Sequence, residues 1–135
     1  MTRPQEIRRP DTAFTGKGMG KKKKRRDANH LAFLRTLPCA VCGTTKDVEA
    51  AHVRAASWRH AKPITGLQIK PADWWAVPLC EWHHRLAPRA QHSMNELDFW
   101  AEHGIDPFTL ATDLYAASGD REQALSILRQ AKGKQ

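Results

Sequence analysis

Two closely spaced pairs of metal-ligating residues constrain this chain more than any other feature. Cys39 and Cys42 are separated by two residues, and so are Cys80 and His83, with 37 residues between the pairs. A turn of two intervening residues lets both side chains of a pair reach one ion, and two such pairs are the usual way to hold a tetrahedral zinc. The spacing therefore predicts a structural zinc, Zn²⁺, bound by all four residues.

Two other interpretations of the cysteines remain open. The three cysteines can be buried free thiols that pack as small apolar side chains. A redox Cys-x-x-Cys motif is a further alternative, although no βαβ pattern surrounds it. An odd number of cysteines, 3 in all, argues against a secreted disulfide framework. The chain also has no apolar run that suits a membrane span or a secretory signal, so we expect a cytoplasmic protein.

The positive charge is concentrated at the N-terminus. Residues 1–26 hold ten of the 22 Lys and Arg side chains and two acidic ones, whereas residues 27–135 are balanced. This composition predicts a disordered arm, residues 1–26, because like charges repel and few apolar groups are available to bury. DNA is the expected partner of the arm, and a merely solvated tail is the alternative. Its basic run consists of Lys21, Lys22, Lys23, Lys24, Arg25 and Arg26.

Residues 27–135 predict one folded domain with short elements around a long loop. We expect a helix that begins at the N-cap Asp27 and ends before Pro38. A capping box, Ser93 to Glu96, predicts a later helix with Leu97, Trp100 and Ala101 on its apolar face. The remaining predicted elements are strands at 47–53 and 75–79, a loop at 54–72, a short helix at 80–86, and helices at 107–117 and 120–132. A loop of that length usually serves a function or is held in place by an additional constraint. Metal binding would supply such a constraint.

Three further histidines form a second candidate constellation. His52 lies on the first predicted strand, His84 directly follows a predicted zinc ligand, and His92 comes eight residues later. His52 can also be a simple polar strand residue. Trp74, Trp75, Trp82 and Trp100 are expected in the core, because little other large apolar material is present. Trp58 lies in a basic loop, where it can be a surface residue or can stack on an exposed base.

The order of these residues resembles the HNH (ββα-metal) nucleases. Within that family the chain is most similar to the phage-encoded Ref-type recombination nucleases and related prophage proteins. The similarity spans residues 38–110 and rests on Ala-His-Val-Arg at 51–54, Lys-Pro-Ala-Asp at 70–73, Val-Pro-Leu-Cys at 77–80, His-His at 83–84, Gln-His at 91–92 and Phe-Trp-Ala-Glu-His-Gly-Ile-Asp-Pro at 99–107.

The resemblance implies a small zinc-stapled α+β core of the HNH type, with a long irregular loop and flanking helices. It implies a metal-dependent DNA endonuclease in a bacterial host cytoplasm, with a RecA-type recombinase filament as a possible second partner and no membrane. The general base would be His52. A catalytic Mg²⁺ or Mn²⁺ would be held by His84 and His92. Arg54 or Arg59 would hold the phosphate, because a guanidinium binds it bidentately and stays charged.

Two departures from the HNH pattern keep other functions open. Ala51 stands where many HNH motifs have an acidic or histidine ligand, and the expected Asn falls near two tryptophans, which leaves Asp73 to orient the base. A zinc-stapled DNA-binding module without catalytic activity is therefore the alternative. A protein-interaction adaptor that uses the helices of residues 93–132 is a third possibility.

Overall fold

The described residues form a short two-stranded sheet with α-helices before and after it. The computed structural model describes residues 25–63 and 70–133. In chain order these contain α1 (Ala28–Arg35), β1 (Val48–His52), β2 (Ala76–Cys80), α2 (Glu96–Glu102), α3 (Pro107–Ala116) and α4 (Arg121–Gly133). Turns of 3₁₀ helix cover Trp58–His60, Asp73–Trp75 and Gln91–Ser93, and a π-helical turn covers Trp82–Leu86. The predicted α+β class is confirmed.

The antiparallel pair of β1 and β2 is the frame on which the candidate site is built. Val48 pairs with Cys80 and His52 pairs with Ala76. β1 is one residue shorter at each end than predicted, and β2 begins one residue later. All five residues of β2 are buried. Its Pro78 is tolerated because each strand of a two-stranded sheet has an outer edge, where no ladder donor is needed.

α1 begins where the sequence predicts. The side chain of Asp27 accepts a hydrogen bond from the backbone N–H of His30, which satisfies one of the unpaired donors of the first turn. The helix ends at Arg35, because the residue before Pro38 is disfavoured in helical conformation. Leu34 and His30 are its buried side chains, and they attach the helix to the rest of the domain.

The core lies between the sheet and the helices and contains some of the predicted tryptophans. Trp75 and Trp100 are buried as expected, and Trp74 packs against the core while remaining partly exposed. The prediction is wrong for Trp82, whose side chain is 55% exposed. Trp82 and Leu86 begin and end one π-helical turn and are both exposed, whereas the histidines between them contact the sheet and its neighbours.

α2 begins two residues later than a capping box at Ser93 requires. Its N-cap is Asn95, whose side chain accepts from the backbone N–H of Asp98. The Glu96 carboxylate does not cap the helix because it accepts the N–H groups of Arg54 and Ala55 instead, at 3.0 Å each. The predicted apolar face is also partly wrong. Phe99 and Trp100 are its buried residues, whereas Leu97 and Ala101 are exposed.

The two C-terminal helices agree with the sequence prediction. Asp106 caps α3 by accepting from the N–H groups of Phe108 and Thr109. Ala124 and Leu128 of α4 are buried, as expected for its apolar face. In residues 25–63 and 70–133, no helix combines the length and the apolar character that a bilayer crossing requires.

The predicted loop at 54–72 contains ordered structure of its own. Ser57 and Lys62 form an isolated antiparallel bridge around the 3₁₀ turn of residues 58–60. Residues 64–69 of this loop lie outside the described residues, and so do residues 1–24 of the predicted arm.

Candidate functional site

The four predicted zinc ligands come together at one end of the sheet. The Cys-x-x-Cys turn closes through two bonds, from the N–H of Gly43 to the carbonyl of Cys39 and from the N–H of Cys39 to the carbonyl of Thr44, at 2.9 and 2.8 Å. Gly43 has a φ of 78°, a left-handed conformation that glycine adopts without strain. The N–H of Ala40 donates to the carbonyl of Pro78 at 2.9 Å and so places this turn against β2.

The four ligand atoms lie close enough together to surround one metal ion. Cys42 Sγ lies 3.8 Å from Cys80 Sγ, which lies 3.3 Å from His83 Nδ1. All four ligand atoms lie within 4.8 Å of one another. A tetrahedron with Zn–S bonds of about 2.3 Å has S···S edges of about 3.8 Å. The prediction that these four residues form one Cys₃His cluster is confirmed, and the cluster could hold a metal ion such as zinc.

The surroundings of the cluster determine which protons a metal must displace. Burial raises the pKa of the Cys80 thiol to about 11, while the pKa of His83 is lowered by burial and by the nearby ring of His103. The Cys80 thiol is therefore protonated and the His83 imidazole is neutral without an ion. The N–H of Val41 donates a hydrogen bond to Cys39 Sγ at 3.4 Å. Metal binding at this cluster must release thiol protons, because the thiolate is the ligand.

His52 pairs with Asp73, the carboxylate that the sequence pattern predicted to orient it. Its Nε2 atom lies 2.8 Å from Asp73 Oδ1. Burial lowers the pKa of His52 and outweighs the opposing effect of Asp73, so the ring is neutral at pH 7. An ionised carboxylate only accepts hydrogen bonds, which assigns the ring proton to Nε2 and the lone pair to Nδ1. This is the tautomer that a general base acting through Nδ1 requires.

Asp73 is held by donors from the segment that precedes α1. The guanidinium of Arg26 donates to Oδ1 at 3.0 Å, and the backbone N–H of Asp27 donates to Oδ2 at 2.7 Å. Burial alone would raise the pKa of Asp73, but the bonds from His52, Asp27 and Arg26 lower it overall. The carboxylate is therefore ionised. The sequence offered no signal for the contact of Arg26, because 47 residues separate it from Asp73.

His84 has its own carboxylate, which the sequence analysis missed. Its Nδ1–H donates to Glu49 Oε1 at 2.6 Å, and Glu49 also accepts from Arg85 at 2.9 Å. The bond from Arg85 is the main reason that the pKa of Glu49 is lowered. A histidine oriented in this way through Nδ1 presents Nε2 as its free ligand atom.

The side chain of His92 lies next to that of His84. Its ring contacts that of His84 edge-on, with the centroids 4.5 Å apart. Burial and the neighbouring His84 lower the pKa of His92, so its ring is neutral and can bind a cation. Among the described residues, His84 and His92 belong to no group of three or more potential ligands, in contrast to the Cys₃His cluster. An ion bound by this pair would draw its other ligands from water.

A cavity of about 270 Å³ opens beside this pair. Its lining residues are His52, Arg54, Gln91, His92 and Glu96. His84 is not among them, and it reaches the cavity wall only through its contact with His92. The Gln91 amide donates to the carbonyl of His52 at 3.2 Å and to Glu96 at 2.7 Å, which ties the end of β1 to the start of α2. Gln91 and Glu96 are lining residues to which the sequence analysis assigned no role in the site.

The predicted DNA-contacting residues have different positions. Arg54 lines the cavity, and Arg59 is exposed on the neighbouring 3₁₀ turn. Arg25 and Arg26 lie against the domain, where their guanidinium groups donate to the carbonyl of Lys70 at 3.2 and 3.0 Å. The other four residues of the run, Lys21, Lys22, Lys23 and Lys24, lie outside the described residues.

The arrangement can do two kinds of chemistry. One cluster can hold a metal ion. At the other end of β1, a neutral, carboxylate-oriented histidine shares a cavity with a second neutral histidine and an arginine. No protein-family model, no curated protein and no solved structure matches the chain.

Proposed function

We propose that the chain is a metal-dependent DNA endonuclease of the HNH type, similar to the Ref-type recombination nucleases. The observation that carries the proposal is the bond between His52 and Asp73, 2.8 Å long, at the end of β1 and beside the cavity that His92 also lines. A neutral histidine held in one tautomer next to a cation-binding histidine is what general-base hydrolysis of a phosphodiester needs.

The Cys₃His cluster serves as the structural staple in this proposal. It joins the turn at Cys39 and Cys42 to the end of β2 and to the π-helical turn, in a domain with only ten strand residues among those described. A bound structural zinc contributes roughly 10–16 kcal/mol in small zinc domains. The staple therefore fixes His84, because it is the residue that follows the ligand His83.

The proton transfer is assigned to His52. Its Nδ1 accepts a proton from the attacking water, while its Nε2–H stays bonded to Asp73. The water oxygen forms a new bond to phosphorus and the bond to the 3′ oxygen breaks. The leaving oxygen then takes a proton from solvent, so the products are a 5′ phosphate and a 3′ hydroxyl. Asp73 stabilises the imidazolium that forms and is not itself protonated.

The catalytic cation would be held by His84 and His92. Both residues offer an imidazole nitrogen, and Glu49 orients His84. Of the two cations, Mn²⁺ would accept these nitrogen ligands more readily than Mg²⁺, which prefers oxygen, and water would supply the remaining ligands. Bound there, the cation supplies Lewis-acid stabilisation of the charge on the phosphate. Arg54 lines the same cavity and would bind the phosphate of the scissile strand.

The partners follow from the same site and from the charge of the chain. The basic run Lys21–Arg26 would contact the backbone of DNA, and recombination intermediates carrying a RecA-type filament are the proposed substrates. Phage or prophage DNA in a bacterial host cytoplasm is the setting that the resemblance to Ref-type nucleases suggests.

One observation favours a second candidate function, a zinc-stapled DNA-binding module without catalysis. Ala51 is fully buried and has no ligand atom, so the pair His84 and His92 lacks the third protein ligand of many HNH sites. DNA binding that persists in EDTA without any cleavage would support this alternative. An absence of DNA affinity would instead point to an adaptor that uses the helices of residues 93–132.

A cleavage assay tests the proposed function. The purified zinc-loaded chain is incubated with single-stranded, duplex and RecA-coated DNA, with Mg²⁺ or Mn²⁺ and without either. We expect cleavage that requires the cation and falls about 10²–10⁴-fold in His52→Ala, with zinc content and DNA affinity unchanged. His84→Ala should cleave more slowly than wild type, and its remaining cleavage should require a higher concentration of Mg²⁺ or Mn²⁺. Cleavage by His52→Ala at the wild-type rate would refute the mechanism.

A further inference from the structure

Trp58 is the most exposed large apolar side chain in the part of the chain that the structure describes. Its side chain is 89% exposed, whereas the next such residue, Trp82, is 55% exposed. Tryptophan is on average among the most buried residue types, because its large ring loses the most from contact with water. An indole that is held in solvent therefore points to a partner that covers it.

The turn that carries Trp58 is held by hydrogen bonds and by contacts with α3. Ser57 and Lys62 exchange two backbone hydrogen bonds, at 2.9 and 2.8 Å, and Ala61 closes the turn with a left-handed φ of 55°. The His60 ring fastens the turn to α3, since its Nε2 lies 3.1 Å from the Thr109 hydroxyl and its ring stacks on that of Phe108 at 5.6 Å. The exposed indole therefore projects from a hydrogen-bonded turn that is packed against α3.

The surroundings of Trp58 are positively charged. Residues 54–62 contain two arginines and one lysine and no acidic residue. Arg54 and Arg59 are exposed. The buried Lys62 donates to the carbonyl of Arg54 at 3.3 Å, which links the base of this turn to a residue of the cavity wall. The combination of one aromatic face and flanking cations is how proteins bind unpaired nucleotides.

The turn lies close to the candidate catalytic cavity. Arg54 lines that cavity, and four residues of extended chain place its Cα at most about 14 Å from that of Trp58. At about 3.4 Å per nucleotide of one strand, a strand that passes the cavity reaches the indole within a few nucleotides. A strand bound by Arg54 can therefore extend to Trp58.

We propose that Trp58 stacks on an unpaired base of single-stranded DNA, with Arg59 on the adjacent phosphate. This proposal rests on the proposed function, because it places the base next to the cavity of the nuclease. It makes the substrate a DNA with an unpaired segment, since the bases of an intact duplex are stacked on one another and have no face to offer the indole. The indole is thus a specificity element for the strand beside the scissile phosphate.

Binding measurements on the zinc-loaded full chain test the proposal without any cleavage. The probes are a labelled single-stranded dT oligonucleotide, the same strand with consecutive abasic sites, and a blunt duplex, all without Mg²⁺ or Mn²⁺. Trp58→Ala should bind the dT strand about 5- to 140-fold more weakly and the duplex as the wild type does. Trp58→Phe should be intermediate, and the matched control Trp82→Ala should be unchanged.

The abasic strand separates stacking from other effects of the substitution. Wild type should lose affinity for it, whereas Trp58→Ala should bind the abasic and dT strands equally, because the lost contact is the same. The proposal is wrong if Trp58→Ala binds the dT strand like wild type, or if it loses affinity equally for all three probes. If the wild type shows cation-dependent cleavage but Trp58→Ala binds the dT strand normally, only the stacking site is refuted and the proposed nuclease function stands. If the wild type never cleaves DNA but Trp58→Ala still loses affinity for the dT strand, the proposed nuclease function is wrong and the proposed stacking site stands.

Discussion

His52 and Asp73 form a hydrogen bond of 2.8 Å although 21 residues separate them in the chain. The pair joins the last residue of β1 to the first residue of the 3₁₀ turn that leads into β2. Asp73 is in turn bonded to Arg26 and to the N–H of Asp27. The histidine proposed as the base is therefore oriented by a carboxylate that also fixes the start of α1.

The substitution Asp73→Asn tests whether this carboxylate sets the tautomer of His52. The Asn amide can donate to Nε2, which would move the ring proton to Nδ1 and remove the basic lone pair. We expect the cleavage rate to fall about 10²–10⁴-fold, close to the loss in His52→Ala, with little change in DNA affinity. Single-turnover cleavage measures the rate. A rate within threefold of wild type would mean that Asp73 is only structural.

The substitution Glu49→Gln tests the proposed cation site. Removing the charge that orients His84 should raise the Mn²⁺ concentration for half-maximal cleavage by about 10–100-fold. Glu81→Gln is the matched control, because Glu81 also accepts from Arg85, at 2.9 Å, without a bond to His84. Equal Mn²⁺ requirements in the two variants would place the cation elsewhere.

Removing a ligand of the Cys₃His cluster should unfold the centre of the domain. Cys80→Ser leaves three ligands, and the binding energy of a structural zinc is also folding energy, about 10–16 kcal/mol against a typical stability of 5–15 kcal/mol. We expect a chain without stoichiometric zinc and with a lost thermal transition. Metal analysis and circular dichroism measure both. Wild type from which zinc has been removed with a chelator should lose its thermal transition in the same way and recover it when zinc is added back. A Cys80→Ser variant that is folded without zinc would contradict the prediction.

The N-terminal lysines should contribute affinity that depends on salt. Each phosphate that they neutralise adds roughly 0.9 to the slope of log affinity against log salt on duplex DNA. Replacing Lys21, Lys22, Lys23 and Lys24 by Ala should weaken binding and flatten that slope without changing the zinc content. The control replaces four exposed cations of the folded part, Arg35, Lys46, Arg129 and Lys132. Equal slopes for both variants would show that the arm has no special role.

His30 should make the domain less stable in mild acid. Its side chain is 1% exposed, Nδ1 lies 2.8 Å from the Ser118 hydroxyl, and the buried Nε2 has no partner among the described residues. Burial lowers the pKa of His30 and outweighs the carboxylates of Asp27 and Asp73. In the unfolded chain His30 therefore binds a proton near pH 6.5, whereas in the folded chain it does so only at a lower pH.

Stability linked to His30 is thus complete above pH 6.5 and is lost as the pH falls towards the lowered pKa of the folded state. The slope of this one group is at most about 1.4 kcal/mol per pH unit. Urea unfolding between pH 7.5 and 5 measures it, with zinc content followed in the same samples. His30→Leu should be less stable at pH 7 and show a shallower slope. An identical slope in both proteins would exclude His30 as the source.

Much of the local structure follows from short-range rules. Asp27 starts α1 and Asp106 starts α3, because a side-chain oxygen at the N-cap satisfies nearby N–H groups. The spacing within each ligand pair likewise determines that the two side chains can converge on one ion. The two partners of each of these interactions lie within a few residues of one another, so a short sequence pattern is enough to predict the interaction.

The tertiary structure decided which distant groups became partners. Glu96 bonds to the N–H groups of Arg54 and Ala55 across about 40 residues, so the expected capping box is not formed. Glu49 reaches His84 because β1 pairs with β2, and the π-helical turn after β2 carries the histidine back beside β1. Each of these contacts depends on strand register and helix packing, whose energies are summed over the whole core. The sequence alone therefore predicted the four residues of the Cys₃His cluster, the pairing of Asp73 with His52 and the order of the elements. Only the folded chain determined that Glu49 orients His84 and that Trp82 stays in solvent.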